Sequence, residues 1–356
     1  MFVFLCPLAW WLNFFRQHNT GRIAMNFANT TENTTESAAA HGFAFLDQSS
    51  FLKSARWGAG PSAQPYGIAG LTWDGSTTNR PGARLAPRAI RQASHMLCDG
   101  IHPFFNCSPA EHIADAGDLP LPNTSLVAMR EAFATWLPAM LAAKHMVWLG
   151  GDHSVTLPIL RALKAQQGQP LAVIHFDAHC DTWEDHFGEP SGHGTWVYEA
   201  MEEGLVVKEC FSQIGIRSAG ELAARDYVRT QGGQIFDARD LRGLENSQQL
   251  AQVTQAIRQR WQQAGSPPVY LSLDIDCLDP AFAPGTGTPE PAGLSSRQVM
   301  TLLEDLADLN FVGMDCVEVS PPFDHADITS YAAASFVWTY LAGRVARLAQ
   351  SSSSAT

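Results

Sequence analysis

From about residue 145 the chain alternates short apolar runs with stretches of helical periodicity. The apolar runs are HMVWLG (145–150), LAVIHFD (171–177), CFSQIGI (210–216), VYLSLDID (269–276) and FVGMDCVEV (311–319). They are continuously apolar rather than alternating, the pattern of strands buried on both faces. Helical patterns fall between and after them, at 154–166, 195–203, 219–230, 246–263, 295–308 and about 327–348. This alternation predicts an α/β fold of three layers, α/β/α, with a mainly parallel central sheet. Upstream the pattern is less regular. YGIAGL (66–71) reads as a first strand, and SLVAMREAFATWLPAML (125–141) as a helix despite Pro138. No Gly/Ser-rich linker or internal repeat divides the chain. The expected organisation is one domain over residues 46–350, an N-terminal extension at 1–45 and a short disordered tail at 351–356.

In open parallel sheets, ligands bind beyond the carboxyl ends of the strands. Polar clusters should therefore occur where the apolar runs stop, and they do. VIHFDAHCDTW (173–183) sets His175, Asp177, His179 and Asp181 two residues apart, a spacing that lines one face if the stretch is extended. Carboxylates leaving an apolar run need compensation. A divalent cation held by Asp oxygens and His nitrogens supplies it; a hydrogen-bonded His/Asp network is the alternative. LGGDHSVTLP (149–158) places His153 after a Gly150-Gly151 pair, where it is a ligand or a capping residue. SLDIDCLDPAFAPGTGTPEPAGLS (272–295) puts Asp274 and Asp276 at another strand end, followed by a long Pro/Gly-rich loop of the kind that carries function. Glu318, inside the last apolar run, either pairs with a structural Arg or grips a cationic group. His153, Asp177, His179, Asp181, Asp274 and Asp276 are too many ligands for one ion and suit two, with some carboxylates bridging. Two-metal centres commonly activate water for attack.

Composition narrows the partners. The net charge of −12 argues against nucleic acid or an anionic membrane and is compatible with a cationic substrate. The seven cysteines are odd in number, scattered and without a CxxC, which fits reduced thiols in a cytoplasmic protein. Cys180 and Cys277, inside the polar clusters, should face away from any ion. The apolar start MFVFLCPLAWWLNFF lacks a basic region before it and is short for a membrane span. Residues 1–24 read as an upstream extension ahead of a native start at Met25, or as an uncleaved anchor.

GGDHS, DAHCD and SLDIDCLDPAFAPGTGTPE resemble the three signatures of the ureohydrolase (arginase–agmatinase) family, and the resemblance extends over most of residues 65–345. WDGSTTNRPGARLAPRAIRQAS (73–94), HGT (193–195) and GMDCVEVSPPFDHADITSYAAA (313–334) bring it nearest to the agmatinase branch. The resemblance implies an arginase-like fold and two Mn²⁺ per chain, with Ni²⁺ or another divalent ion able to use the same ligands. It implies that His153 and Asp181 hold one ion, that His179 and Asp276 hold the other, and that Asp177 and Asp274 bridge them. His193 then shuttles protons at the mouth, Glu318 holds the substrate guanidinium, and His175 is not a ligand. The implied activity is hydrolysis of agmatine to urea and putrescine in a homo-oligomer, a trimer or hexamer. A guanidinobutyrase or other ureohydrolase is the alternative, and a non-catalytic homologue a further one.

The substrate tail is read from TWEDHFGEPSG (182–192), which carries Glu184, Asp185 and Glu189 and no Arg or Lys. This stretch lacks the Asn/Ser/Thr-rich pattern of arginases, which disfavours arginine, and its three acids favour a cationic tail. DHFGEP also resembles guanidinobutyrase-like members, whose carboxylate tail would need Arg84, Arg88 or Arg91.

Overall fold

The computed structural model describes residues 50–58 and 63–353. The expected extension at 1–45, with its apolar start and Met25, lies outside the described residues. One parallel sheet organises the rest. Its strands are β1 (Ala55–Arg56), β2 (Tyr66–Leu71), β3 (Ile113–Leu119), β4 (His145–Leu149), β5 (Leu171–Phe176), β6 (Val206–Ile216), β7 (Gln234–Asp237), β8 (Val269–Asp274) and β9 (Phe311–Val317). Their order across the sheet is β1-β3-β2-β4-β9-β8-β5-β6-β7, every pairing being parallel. The central strands are the buried, continuously apolar ones, as parallel pairing requires.

The helices are α1 (Ala86–Ser94), α2 (Leu126–Ala143), α3 (Thr156–Gln167), α4 (Trp196–Glu202), α5 (Ser247–Gln263), α6 (Ser296–Asp305) and α7 (Ile328–Ser353). They form two layers with separate cores. On one face, Ile90, Val253, Leu302 and Val337 of α1, α5, α6 and α7 pack on Val147, Ile174 and Leu271. On the other, Phe133, Leu160 and Val197 of α2, α3 and α4 pack on Trp148, Val173 and Tyr270. Successive strand residues thus alternate between the two cores. Helix α2 is long and apolar enough to cross a membrane by length and composition alone. It lies here in the outer layer, with Met129, Phe133, Leu137, Met140 and Leu141 buried.

The expected strands appear within a few residues, and α2 carries Pro138 on its exposed side. Elsewhere the structure departs from the sequence reading. The helix expected over 219–230 is two single turns, Leu222–Arg225 and Tyr227–Thr230. The last helix runs to Ser353, into the stretch expected as a tail. β3 was hidden by its acids. Asp115 is buried there and receives the Arg91 guanidinium from α1, while Asp118 takes the same side chain at its other end. No disulfide joins the six described cysteines.

A buried histidine, His102, and a half-buried one, His145, tie α7 to the body of the domain. His145 Nε2 lies 2.8 Å from Tyr340 Oη, and His102 Nε2 donates to Thr339 Oγ1 at 3.1 Å. Burial lowers His145 to about 3, with repulsion from Arg344 adding to it, and burial lowers His102 to about 4. Both values lie below the ordinary imidazole value of about 6.5, so the unfolded chain binds these protons first as pH falls. Their contribution to stability is therefore complete above about pH 7 and is lost as pH drops from about 6.5, toward 4 for His102 and toward 3 for His145. In chelator, the thermal midpoint should fall through this window. A His102→Gln/His145→Gln variant should show a shallower fall; an equal slope in both proteins would contradict the assignment.

Candidate metal centre

The centre is built where four central strands end. β4 stops at Leu149, and Gly150 and Gly151 turn the chain with φ of 74° and 85° so that His153 comes back over the sheet. A Cβ on Gly150 would lie 2.8 Å from Pro87 Cδ, so this turn has no room for a side chain. β5 ends at Phe176, and Asp177, His179 and Asp181 follow in irregular backbone. The strand alternation expected through 181 thus stops at 176, and loop geometry aims these side chains instead. β8 ends on Asp274, which caps a single turn by accepting from the Asp276 backbone N–H at 2.8 Å. β9 ends at Val317, and Glu318 follows with φ of 62°. Asp181 shares this left-handed backbone, φ 52°. Neither is glycine, and such backbone persists where surrounding structure holds it, commonly at functional sites.

The six expected ligands gather into two groups. His153 Nδ1 lies 3.2 Å from Asp177 Oδ2, 3.1 Å from Asp181 Oδ2 and 3.1 Å from Asp274 Oδ2. It nevertheless has no hydrogen-bond partner of acceptable geometry. His179 Nδ1 lies 3.0 Å from Asp276 Oδ2 and 3.3 Å from Asp177 Oδ1. Asp177 therefore offers one oxygen to each group. Asp274, expected to bridge, gives Oδ2 to the His153 group, and its Oδ1 accepts the Asp276 N–H, as Asp177 Oδ1 accepts the His179 N–H.

The electrostatics of the groups ask for a cation. Burial, then the charges of Asp276 and Asp177, push Asp274 well above the ordinary carboxylate range, and burial raises Asp276. Burial opposes charge on His153, yet the surrounding Asp177, Asp181 and Asp274 push it well above its ordinary value. Buried carboxylates crowded round an unpartnered imidazole nitrogen fit oxygen- and nitrogen-binding divalent metals.

The tautomer of His153 agrees. Ser272 Oγ donates to Asp315 Oδ1 at 2.8 Å, so the same oxygen accepts from His153 Nε2–H at 2.8 Å. In the neutral ring that a ligand requires, the lone pair then sits on Nδ1, facing the three carboxylates. Asp315 is itself held by Thr156 Oγ1 and Tyr270 Oη, each donating at 2.8 Å. A metal-ligating imidazole is commonly oriented through its other nitrogen in this way. Trp196 Nε1 donates to Asp181 Oδ2 at 2.8 Å, fixing another acid. Cys180 and Cys277 are buried and belong to neither group.

Glu318 sits beside the groups and is 1% exposed. Its Oε1 accepts from the His153 backbone N–H at 2.9 Å and from His193 Nδ1 at 3.0 Å. Its Oε2 is buried and finds no hydrogen-bond partner among the described residues. The structural Arg considered from sequence is therefore not its partner. Burial opposes charge on His193, but the hydrogen bond and charge of Glu318 outweigh it and push the imidazole up to about 9. Thr78 meets the other nitrogen, Nε2, with its Oγ1 at 3.1 Å and its N–H at 3.3 Å. The N–H donates to Nε2 of the neutral ring, and Oγ1 is placed to accept from Nε2–H once the ring is protonated. Nothing in the sequence pattern marked Thr78.

A cavity of about 340 Å³ opens over these residues. His153, His179, Asp181 and Asp274 line its depth, His193, Thr78 and Thr288 its wall, and Trp183, Glu184, Asp185, His186 and Phe187 its mouth. No Arg or Lys among the described residues lines it. Arg84 is engaged by Asp74 and Arg91 by Asp115 and Asp118, so neither is placed to receive an anionic tail.

Comparison with known proteins agrees with this geometry. The pattern of the arginase family matches residues 64–343. The agmatinase of Chromobacterium violaceum is 39% identical over 271 residues, 75% of this chain and 80% of that protein. Among solved structures, proclavaminate amidino hydrolase from Streptomyces clavuligerus superposes with a TM-score of 0.77 at 35% identity, covering 86% of this chain and 99% of its own. A hypothetical agmatinase from Burkholderia thailandensis gives 0.77 at 34% identity, covering 88% of this chain and 97% of its own. With that pattern matching residues 64–343, well over half of the chain, the protein belongs to the arginase family.

Proposed function

We propose that this protein is an agmatinase, hydrolysing the guanidinium group of agmatine to urea and putrescine. The observation that carries the reading is Glu318 Oε2, a buried carboxylate oxygen left without a donor beside the two ligand groups. A planar guanidinium offers the N–H groups that such an oxygen lacks, through charge-assisted hydrogen bonds. Membership of the arginase family implies a binuclear divalent-metal site, and we assign two Mn²⁺ to it. His153 and Asp181 would hold one ion and His179 and Asp276 the other, with Asp177 and Asp274 shared between them. Such ions supply Lewis acidity and lower the pKa of water toward neutrality.

The chain's own residues do the remainder. Glu318 orients the guanidinium so that its carbon faces the ligand groups. His193, raised to about 9, carries a proton at neutral pH and presents it at Nε2, next to Thr78, for the departing amine. Asp181, held by the Trp196 indole, is an acceptor for a water proton. At the mouth, Glu184 and Asp185 favour a cationic tail, and the absence of Arg or Lys from the cavity lining disfavours guanidinobutyrate. A cytoplasmic homo-oligomer, a trimer or hexamer, completes the reading.

Urea release by protein loaded with Mn²⁺, offered agmatine, 4-guanidinobutyrate and arginine in parallel, tests the substrate. Agmatine should be turned over fastest by a wide margin; preference for guanidinobutyrate would overturn the cationic-tail assignment and leave the chemistry standing. Glu318→Gln tests the grip. It keeps an acceptor at Oε1 and removes charge at the free position. Loss of one charged hydrogen bond, about 1.5–3 kcal/mol, corresponds to a fall in kcat/KM of about 10- to 100-fold. Metal content should not change. A variant with unaltered kcat/KM would remove Glu318 from the substrate.

A further inference from the structure

His175 lies within 4.8 Å of the ligand atoms of His153, Asp177 and Asp181, close enough to be a ligand itself. Its hydrogen bonds argue otherwise. Gln213 Nε2 donates to the Cys180 carbonyl at 2.8 Å, and a carbonyl only accepts, so the amide NH₂ must face that way. The same NH₂ lies 3.2 Å from His175 Nδ1. Nδ1 therefore accepts, and the ring proton sits on Nε2. That nitrogen lies 2.7 Å from Asp177 Oδ2 and donates to it.

The arrangement is built into the sheet. His175 pairs in register with Gln213 on β6 and with Ser272 on β8, and Ser272 pairs with Asp315 on β9. In-register neighbours point to the same face, here the one carrying Val173, Tyr270 and Phe211. A polar row thus crosses four strands beneath the centre. Its Ser272–Asp315 half fixes His153, and its His175–Gln213 half reaches Asp177. The Trp196 and Phe211 rings stand 4.9 Å and 6.1 Å from the His175 ring, edge-on, and confine it. His175 and Gln213 are both fully buried.

We propose that His175 and Gln213 are a positioning pair: Gln213 keeps the His175 proton on Nε2, and that proton holds Asp177 in the pose that offers one oxygen to each ligand group. His175 is thereby kept from ligating, since its Nε2 has no free lone pair. The proposal rests on the two-ion reading, so its test must separate the two. Mn²⁺ is titrated into metal-free wild type, His175→Gln, His175→Met and Gln213→Leu, with thermal midpoints recorded alongside. Wild type should take up two ions. His175→Met, similar in bulk but without a donor, should bind both about 10- to 100-fold more weakly, because Asp177 serves both groups. Gln213→Leu should weaken binding in the same direction. His175→Gln, which returns an N–H near the Nε2 position, should recover most of the affinity at a similar midpoint; a merely structural role would not distinguish Gln from Met in this way.

Wild-type affinity in His175→Met would overturn the pair while leaving the two-ion reading intact. Fewer than two ions in wild type would overturn that reading and this proposal with it. Nitrogen chemical shifts of ¹⁵N-histidine in the wild-type protein give an independent check should a variant fail to fold. They should show His175 protonated at Nε2 alone; a bare Nε2 would contradict the proposal.

Discussion

The constraint on which the structure turns is the burial of negative charge at the carboxyl ends of its central strands. Asp177, Asp181, Asp274, Asp276 and Glu318 are each at most 5% exposed, and no Lys or Arg is paired with any of them among the described residues. Uncompensated, each buried charge costs on the order of several kcal/mol. The fold concentrates these acids because β4, β9, β8 and β5 are adjacent and parallel, so all four end on one side. Histidines from two of the strand-end segments face the acids. The hydrogen bonds around them leave the His153 Nδ1 lone pair and the Asp177 oxygens directed inward. Compensation is thereby reserved for a cation that arrives from solution.

That division of labour explains the polar row in an otherwise apolar sheet. Asp315, Ser272, His175 and Gln213 occupy in-register positions on an otherwise apolar face of the sheet. Each spends its hydrogen-bonding capacity on orienting a neighbour. The outer face of the row is closed by α4, whose Trp196 also donates to Asp181. One helix thus seals the core and positions an acid. The catalytic reading follows the same economy: His193 and Glu318 share one hydrogen bond, which raises the imidazole and leaves the second Glu318 oxygen for substrate.

Much of this was legible in the sequence. The central strands stood out because burial on both faces makes their apolar runs continuous, and the ligand residues because carboxylates and imidazoles crowd where those runs stop. What escaped has physical causes. β3 carries Asp115 and Asp118, whose partner Arg91 is distant in sequence, so its apolar pattern is broken. β1 and β7 are short edge strands with little to bury. The helical pattern at 219–230 resolves into separate turns that a moment-like periodicity cannot distinguish from a helix. Thr78, Ser272 and Gln213 act through partners on other strands or loops, and such cross-strand relations leave no local spacing to read. Even the His/Asp spacing over 175–181 misled in part, because it suggested an extended strand where the chain in fact leaves the sheet after Phe176.

The central claim is that two divalent ions neutralise this cluster, with Asp177 between them. Anomalous diffraction from crystals grown with Mn²⁺, recorded on either side of the manganese edge, tests it most directly. The account predicts two peaks about 3.5–4 Å apart, as in other two-metal sites, one beside His153 Nδ1 and one beside His179 Nδ1, each touching a different oxygen of Asp177. A single peak, or a peak coordinated by His175 Nε2, would contradict it.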